Sequence, residues 1–157
     1  MKILAVVRHG EYEKRDGDYR LSDYGKRQIA ALAGQIKTSL VNGGGKPRML
    51  SSTAPRALDS ARVMSEVLGV PFEEHPVLWS GGGGGGYPDC KAVMELIKQD
   101  ESPDVVILVT HLEYIERFPG HFATSIGAKF DGDEIPKGHA WIIDVEKKSI
   151  DHLRCAV

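Results

Sequence analysis

The sequence predicts an α/β protein, a three-layer sandwich with a mostly parallel central sheet flanked by helices and closed by a C-terminal hairpin. Three observations predict it. Lys2–Val7, aliphatic throughout after Lys2, and Val105–Val109 are short continuous runs, as strands buried on both faces of a parallel sheet require. The segments between such runs repeat apolar residues at helical spacing. Near the end, Ala140–Val145 and Ser149–Leu153 are short segments split by Glu146-Lys147-Lys148, the pattern of two strands joined as a hairpin. A chain of 157 residues is the size of one domain, so a single domain over 1–157 is expected.

In chain order, Lys2–Val7 is the first strand. Ser22 can cap a helix whose apolar positions Ile29, Leu32, Ala33, Ile36 and Leu40 lie on one side, and Asn42-Gly43-Gly44-Gly45 stops it. Met49–Ser52 reads as a second strand, and after a tight turn Pro55 opens a helix that runs to Gly69. Val70–Glu73 reads as a brief strand and Cys90–Lys98 as a helix. Val105–Val109 is the strongest buried-strand signal, with a strand-to-turn junction at Thr110-His111. Gly81–Gly86 has no side chains to pack and is expected to be a mobile surface loop at a rim or lid.

Composition narrows the function. Lys and Arg number 20 against 22 Asp and Glu, a net charge of -2 that gives no basic field for a nucleic-acid backbone. The N-terminal apolar run is too short for a bilayer and no small-residue cleavage site follows it, so no membrane association and a cytoplasmic location are expected. Cys90 and Cys155 are too few and too far apart for a disulfide framework and are read as free thiols. His75, His121, His139 and His152 lack the spacing and carboxylate company of metal ligands, so neither a metal nor another cofactor is expected. Gly44-Gly45-Lys46 lacks the earlier glycine and the following Ser or Thr of a phosphate loop.

The chemistry gathers at strand ends. Open α/β sheets bind ligands beyond the carboxyl ends of their strands, where helix N-termini offer unpaired N–H groups. Arg8-His9, Arg56 and His111 all fall just past such ends. Two guanidinium groups grip phosphate oxygens in bidentate fashion, which makes this a site for a small dianion. Of these residues only a neutral histidine can attack phosphorus, and His9, at the end of a buried strand, is the better placed. Arg8 and Arg56 should keep His9 neutral by like-charge repulsion, lowering its pKa. Trp79 at a strand end reads as core packing.

Arg8-His9-Gly10-Glu11, Leu21-Ser22-Asp23-Tyr24-Gly25, Ser51–Ala57 and Val109-Thr110-His111 resemble, in order, the motifs of the histidine phosphatase (phosphoglycerate mutase-like) superfamily. The resemblance spans nearly the whole chain. It implies that His9 becomes phosphorylated while Arg8, Arg56 and His111 bind the phosphoryl group. The short length, the Arg20-Leu21-Ser22 approach and Thr110-His111-Leu112 look most like the compact SixA-type phosphohistidine phosphatases, which adds Arg20 to the substrate-binding set.

One departure stands out. Many members carry a general-acid glutamate in a Leu-x-Glu setting, where this chain has Leu78-Trp79-Ser80 followed by six glycines. Its absence favours a labile phosphohistidine or phosphoanhydride over a sugar phosphate, unless Glu11, Glu74 or Asp89 replaces it. The expected partner is a phosphorylated protein, above all one carrying phosphohistidine. A small phosphorylated molecule is the alternative, and a non-enzymatic phosphate-binding regulatory module is the third reading.

Overall fold

The computed structural model describes residues 1–82 and 86–157. Six strands form one sheet: β1 (Ile3–Arg8), β4 (Pro47–Ser51), β5 (Phe72–Glu74), β6 (Val105–Thr110), β7 (Ala140–Asp144) and β8 (Ser149–Leu153). Their spatial order is β5-β4-β6-β1-β7-β8. The first four are mutually parallel, whereas β7 runs antiparallel to β1 and β8 antiparallel to β7, so the C-terminal hairpin extends the sheet at one edge.

The period-two geometry of strands sorts their side chains between two cores. Leu4 and Val6 of β1, Leu50 of β4 and Val106 and Leu108 of β6 enter one cluster. There they meet α3 (Cys90–Lys98) and α4 (Leu112–Ile126) through Val93, Ile97, Ile115 and Phe118. Ala5 and Val7, Met49, and Ile107 and Val109 enter the other. On that face they pack on α1 (Asp23–Ile36) and α2 (Pro55–Leu68) through Ile29, Leu32, Ala57 and Met64. Burial on both faces explains why β1 and β6 read as continuous apolar runs. Among the described residues no helix is long and apolar enough to cross a membrane.

The structure departs from expectation in several places. A small separate hairpin, β2 (Tyr12–Arg15) paired with β3 (Asp18–Leu21), turns through Asp16 and Gly17, both at positive φ. Its strands are largely exposed and polar, so hydrophobic patterning is silent there, and Asp-Gly is its one sequence signal. The fifth strand begins at Phe72 rather than Val70. Helix α4 holds Pro119 in its interior, a residue that sequence reasoning treats as a breaker. Of the expected glycine loop, Ser80–Gly82 forms a 3₁₀ turn and Gly86 takes a φ of +84°, while the remainder lies outside the described residues.

The link from β3 into α1 is held against the strand-end loop after β1 by close backbone approach. Ser22 caps α1 by accepting from the Gly25 N–H and donates its hydroxyl proton to the Glu11 carbonyl. A Cβ on Gly25 would stand 2.1 Å from that same carbonyl oxygen, and one on Gly10 would stand 2.8 Å from the Gly25 carbonyl. Neither neighbour is a flexible side-chain end that could swing away. Gly25→Ala should therefore cost about 3 kcal/mol, the upper end for overpacking, read as a lowered urea midpoint with unchanged slope. An unshifted midpoint would show that this crossing can relax.

Candidate active site

The register of the parallel strands aligns the ends that carry the chemistry. Arg8 lies opposite Thr110 across β1 and β6, and Ser51 lies opposite Val109 across β4 and β6. The next residue on each chain, His9, His111 and Ser52, therefore emerges at one edge. Arg56 joins them from the first turn of α2, behind the N1 proline Pro55, and His111 occupies the N-cap position of α4.

His9 is 4% and His111 3% exposed, and their rings meet edge to face at 5.1 Å. His9 Nδ1 lies 2.9 Å from the Gly10 carbonyl, an acceptor only, so the ring proton sits on Nδ1. Arg56 Nε donates to His9 Nε2 at 3.3 Å, and a guanidinium accepts nothing, so Nε2 carries the lone pair. Both contacts select the tautomer whose Nε2 is nucleophilic.

Burial holds the His9 pKa down to about 3, with His111, Arg56 and Arg8 adding repulsion against the Gly10 hydrogen bond that opposes them. Burial likewise lowers His111 to about 3, helped by Arg56 and Arg8. Desolvation rather than arginine repulsion is thus the first reason these rings are neutral.

His111 Nε2 is 2.7 Å from Ser52 Oγ, which also accepts the Ala54 N–H at 3.1 Å. If Ser52 donates its own proton to Nε2, the His111 proton stands on Nδ1, an atom buried without a partner among the described residues. A second buried donor, Arg8 Nε, is also unpartnered, while Arg8 Nη1 donates to the Ile135 carbonyl at 2.7 Å. Buried donors cost free energy unless an acceptor arrives, which suits them to an anion's oxygens.

Aromatic rings wall the site. Tyr12 stands edge-on to His9 at 5.3 Å, and Trp79 lies 5.9 Å from the His111 ring. The Arg56 guanidinium sits 5.3 Å from the Tyr12 ring and 5.9 Å from that of Trp79. Trp79 is therefore a wall of this site, not only core. Lys137 Nζ lies 5.0 Å from the Tyr12 ring and 3.5 Å from a Glu11 carboxylate oxygen.

The remaining sequence candidates lie elsewhere. Arg20 does not join the site, because its guanidinium forms a bidentate pair with Asp59 at 2.7 and 2.8 Å, tying the small hairpin to α2. Asp89 is spent as the N-cap of α3, accepting from the Ala92 N–H. Glu74 is exposed at the end of β5, and Glu11 faces Lys137. Tyr12, Ser52 and Lys137 were missed. Tyr12 lies in a polar exposed strand, and nothing in its local sequence marks it. Ser52, at a strand end just ahead of Arg56, could have been noticed. Among the described residues no group of three or more His, Cys, Asp or Glu could hold a metal ion.

The two buried histidines make stability depend on pH. Each takes up a proton near pH 6.5 in the unfolded chain but only near 3 in the folded one. Their contribution is complete above pH 6.5 and is lost as pH falls from there toward 3, at up to about 1.4 kcal/mol per pH unit for each ring. The thermal midpoint should fall steadily from pH 6.5 to 4, and more gently in His9→Asn/His111→Asn. Parallel slopes in the two proteins would contradict the neutral assignment.

A comparison with curated proteins returns no match. Solved structures share the fold along nearly the whole chain. A protein assigned as the phosphohistidine phosphatase SixA of Nakamurella multipartitia superposes with a TM-score of 0.73 at 15% identity, covering 99% of this chain and 97% of its own. The protein histidine phosphatase SixA complexed with tungstate gives 0.66 at 16%, covering 97% and 96%. The mycobacterial glucosyl-3-phosphoglycerate phosphatase complexed with VO3 gives 0.65 at 18%, covering 100% and 98%. The family model of the histidine phosphatase superfamily (branch 1) matches residues 4–79, the span from β1 to the Trp79 wall that holds Arg8, His9 and Arg56. That match and the shared fold make the chain similar to the histidine phosphatase superfamily over its N-terminal half and to SixA-type structures in its fold.

Proposed function

We propose that this chain is a phosphatase of the histidine phosphatase superfamily, that it works through a phosphorylated His9, and that its substrate is a phosphohistidine on a cytoplasmic protein. The observation that carries the first part is the fixed tautomer of His9, with Nδ1 bound to the Gly10 carbonyl and a lone pair on a buried Nε2 beside Arg56.

In the first step Nε2 forms a bond to phosphorus as the substrate's P–N bond breaks, and the departing imidazole takes its proton from solvent. Arg8, Arg56 and the His111 N–H bind the three phosphoryl oxygens as charge builds on them. In the second step water attacks the phosphorus, the P–N bond to His9 breaks with its electrons returning to Nε2, and phosphate leaves.

The substrate class is supported by the site's own chemistry. Among the described residues no carboxylate makes a hydrogen bond or ion pair with the side chain of His9, His111 or Arg56. Proton donation by a positioned acid contributes about 10²–10⁴-fold with poor leaving groups, whereas an imidazole leaves phosphorus readily. The SixA likeness along the chain points the same way. The unpaired thiols of Cys90 and Cys155 suit a reducing compartment.

A panel of phosphohistidine peptide, p-nitrophenyl phosphate and sugar phosphates tests this reading, with kcat/KM expected to fall in that order. A preference for a sugar phosphate would instead make this a small-molecule phosphomonoesterase. His9→Ala should abolish turnover and the acid-labile phosphoenzyme together; activity surviving in that variant would end the mechanism. Arg8→Ala and Arg56→Ala should each lower kcat/KM by about 10²–10³ with the fold retained, as removal of a donor that meets developing charge does.

For pH, His9 stays neutral in the free enzyme down to about 3. The acidic limb of kcat/KM should therefore lie well below 6.5, and a limb at or above 6.5 would contradict the burial argument.

A further inference from the structure

We infer that Glu113 is the general base that activates water for hydrolysis of the phosphorylated His9, an inference that rests on the proposed phosphoenzyme. Glu113 lies in the first turn of α4, two residues beyond His111. Its Oε1 accepts both the hydroxyl proton of Ser80 at 2.7 Å and the Ser80 N–H at 3.3 Å. Ser80 directly follows Trp79, whose ring lies against His111 and the Arg56 guanidinium. The position at which sequence comparison leads one to expect a carboxylate thus holds a serine that grips a carboxylate from another helix.

The other acidic side chains near this edge are engaged or turned away. Asp59 is clamped by Arg20 and Arg62, Asp89 caps α3, Glu11 faces Lys137, and Glu74 is exposed at the end of β5. Glu113 forms no ion pair among the described residues, and with both Ser80 bonds on Oε1, its Oε2 makes no hydrogen bond among them.

The geometry of displacement explains why such a base should stand off from His9. Water must approach phosphorus in line, on the side opposite Nε2, so a group that removes its proton lies across the phosphoryl group from the imidazole. A carboxylate in contact with His9 would not meet that requirement, whereas one held by Ser80, next to the ring that lies against His111 and Arg56, stands off from the imidazole. As the water oxygen bonds to phosphorus, its proton passes to Glu113 Oε2, the P–N bond breaks and its electron pair returns to His9 Nε2. Glu113 then releases the proton to solvent as phosphate departs. The first step needs no such help when the leaving group is an imidazole.

Glu113→Gln separates this role from a structural one, because the amide oxygen can keep both Ser80 hydrogen bonds while losing basicity. With phosphohistidine peptide or p-nitrophenyl phosphate as substrate, kcat should fall by about 10²–10⁴. KM should fall in parallel, so that kcat/KM, set by phosphorylation of His9, stays within about twofold. Alkaline quenching should show phosphoenzyme accumulating in the variant. Ser80→Ala, which frees the carboxylate without removing it, should show the same split to a smaller degree and gives a second test if Glu113→Gln is poorly folded. A parallel loss in kcat and kcat/KM, or no loss at all, would overturn the assignment of Glu113 while leaving His9 as nucleophile. Failure to trap any phosphoenzyme in the unmodified protein during turnover would overturn both.

Discussion

The parallel pairing of β4, β6 and β1 is the constraint on which everything at the site depends. Ser52, His111 and His9 are separated by 59 and 102 positions, and no local interaction could bring them together. Hydrogen-bonded registry does it, because three strands in one direction must present their carboxyl ends on one edge. That pairing is stable only because both faces are covered, Leu4 and Val6 by α3 and α4, Ala5 and Val7 by α1 and α2. The apolar runs are thus the cause of the site as well as of the core.

At that edge burial and positive charge act together on the histidines. A fully solvated imidazole would be partly protonated near neutrality, and the protonated fraction has no lone pair to offer. Removing His9 and His111 from water disfavours their charged forms first, and the nearby guanidinium groups reinforce the effect. The guanidinium groups remain charged themselves. Arg56 shares its surroundings with the electron-rich faces of Tyr12 and Trp79, which favour a cation without competing for its N–H donors. One site therefore holds neutral imidazoles and guanidinium groups side by side, a combination suited to an anion with an electrophilic centre.

Most of the architecture was legible because burial leaves a periodic trace. Strands β1 and β6, the cap at Ser22 and the helix behind Pro55 each follow from residue patterns that physics makes hard to mimic. The gathering of His9, Arg8, Arg56 and His111 at one edge was legible through their places after strands. The β2–β3 hairpin left no such trace, since its exposed strands have no buried face to enforce alternation. Arg20 was misplaced for a related reason. A long charged side chain beside a motif can reach either an anionic ligand or an anionic neighbour, and only the fold shows Asp59 within bidentate reach.

The role proposed for Glu113 was illegible for a different reason, which bears on how such sites are built. Sequence reasoning sought a carboxylate at the end of the segment Leu78-Trp79-Ser80 and found a hydroxyl. The hydroxyl is itself a recognition element, since a serine side chain and its own N–H form a two-donor cradle that only an acceptor can fill. If Glu113 is the base, what that place needs is a negative oxygen, and the covalent chain that delivers it is free to vary, provided a helix start is packed close by. The N-terminal turn of α4 favours a carboxylate there through its unpaired N–H groups. The same helix is fixed at its start by His111, whose carbonyl accepts the Tyr114 and Ile115 N–H groups at 3.0 Å. On the proposed reading, the turn that presents a donor to the phosphoryl group also sets the reach of the carboxylate, so the two cannot drift apart without unwinding α4.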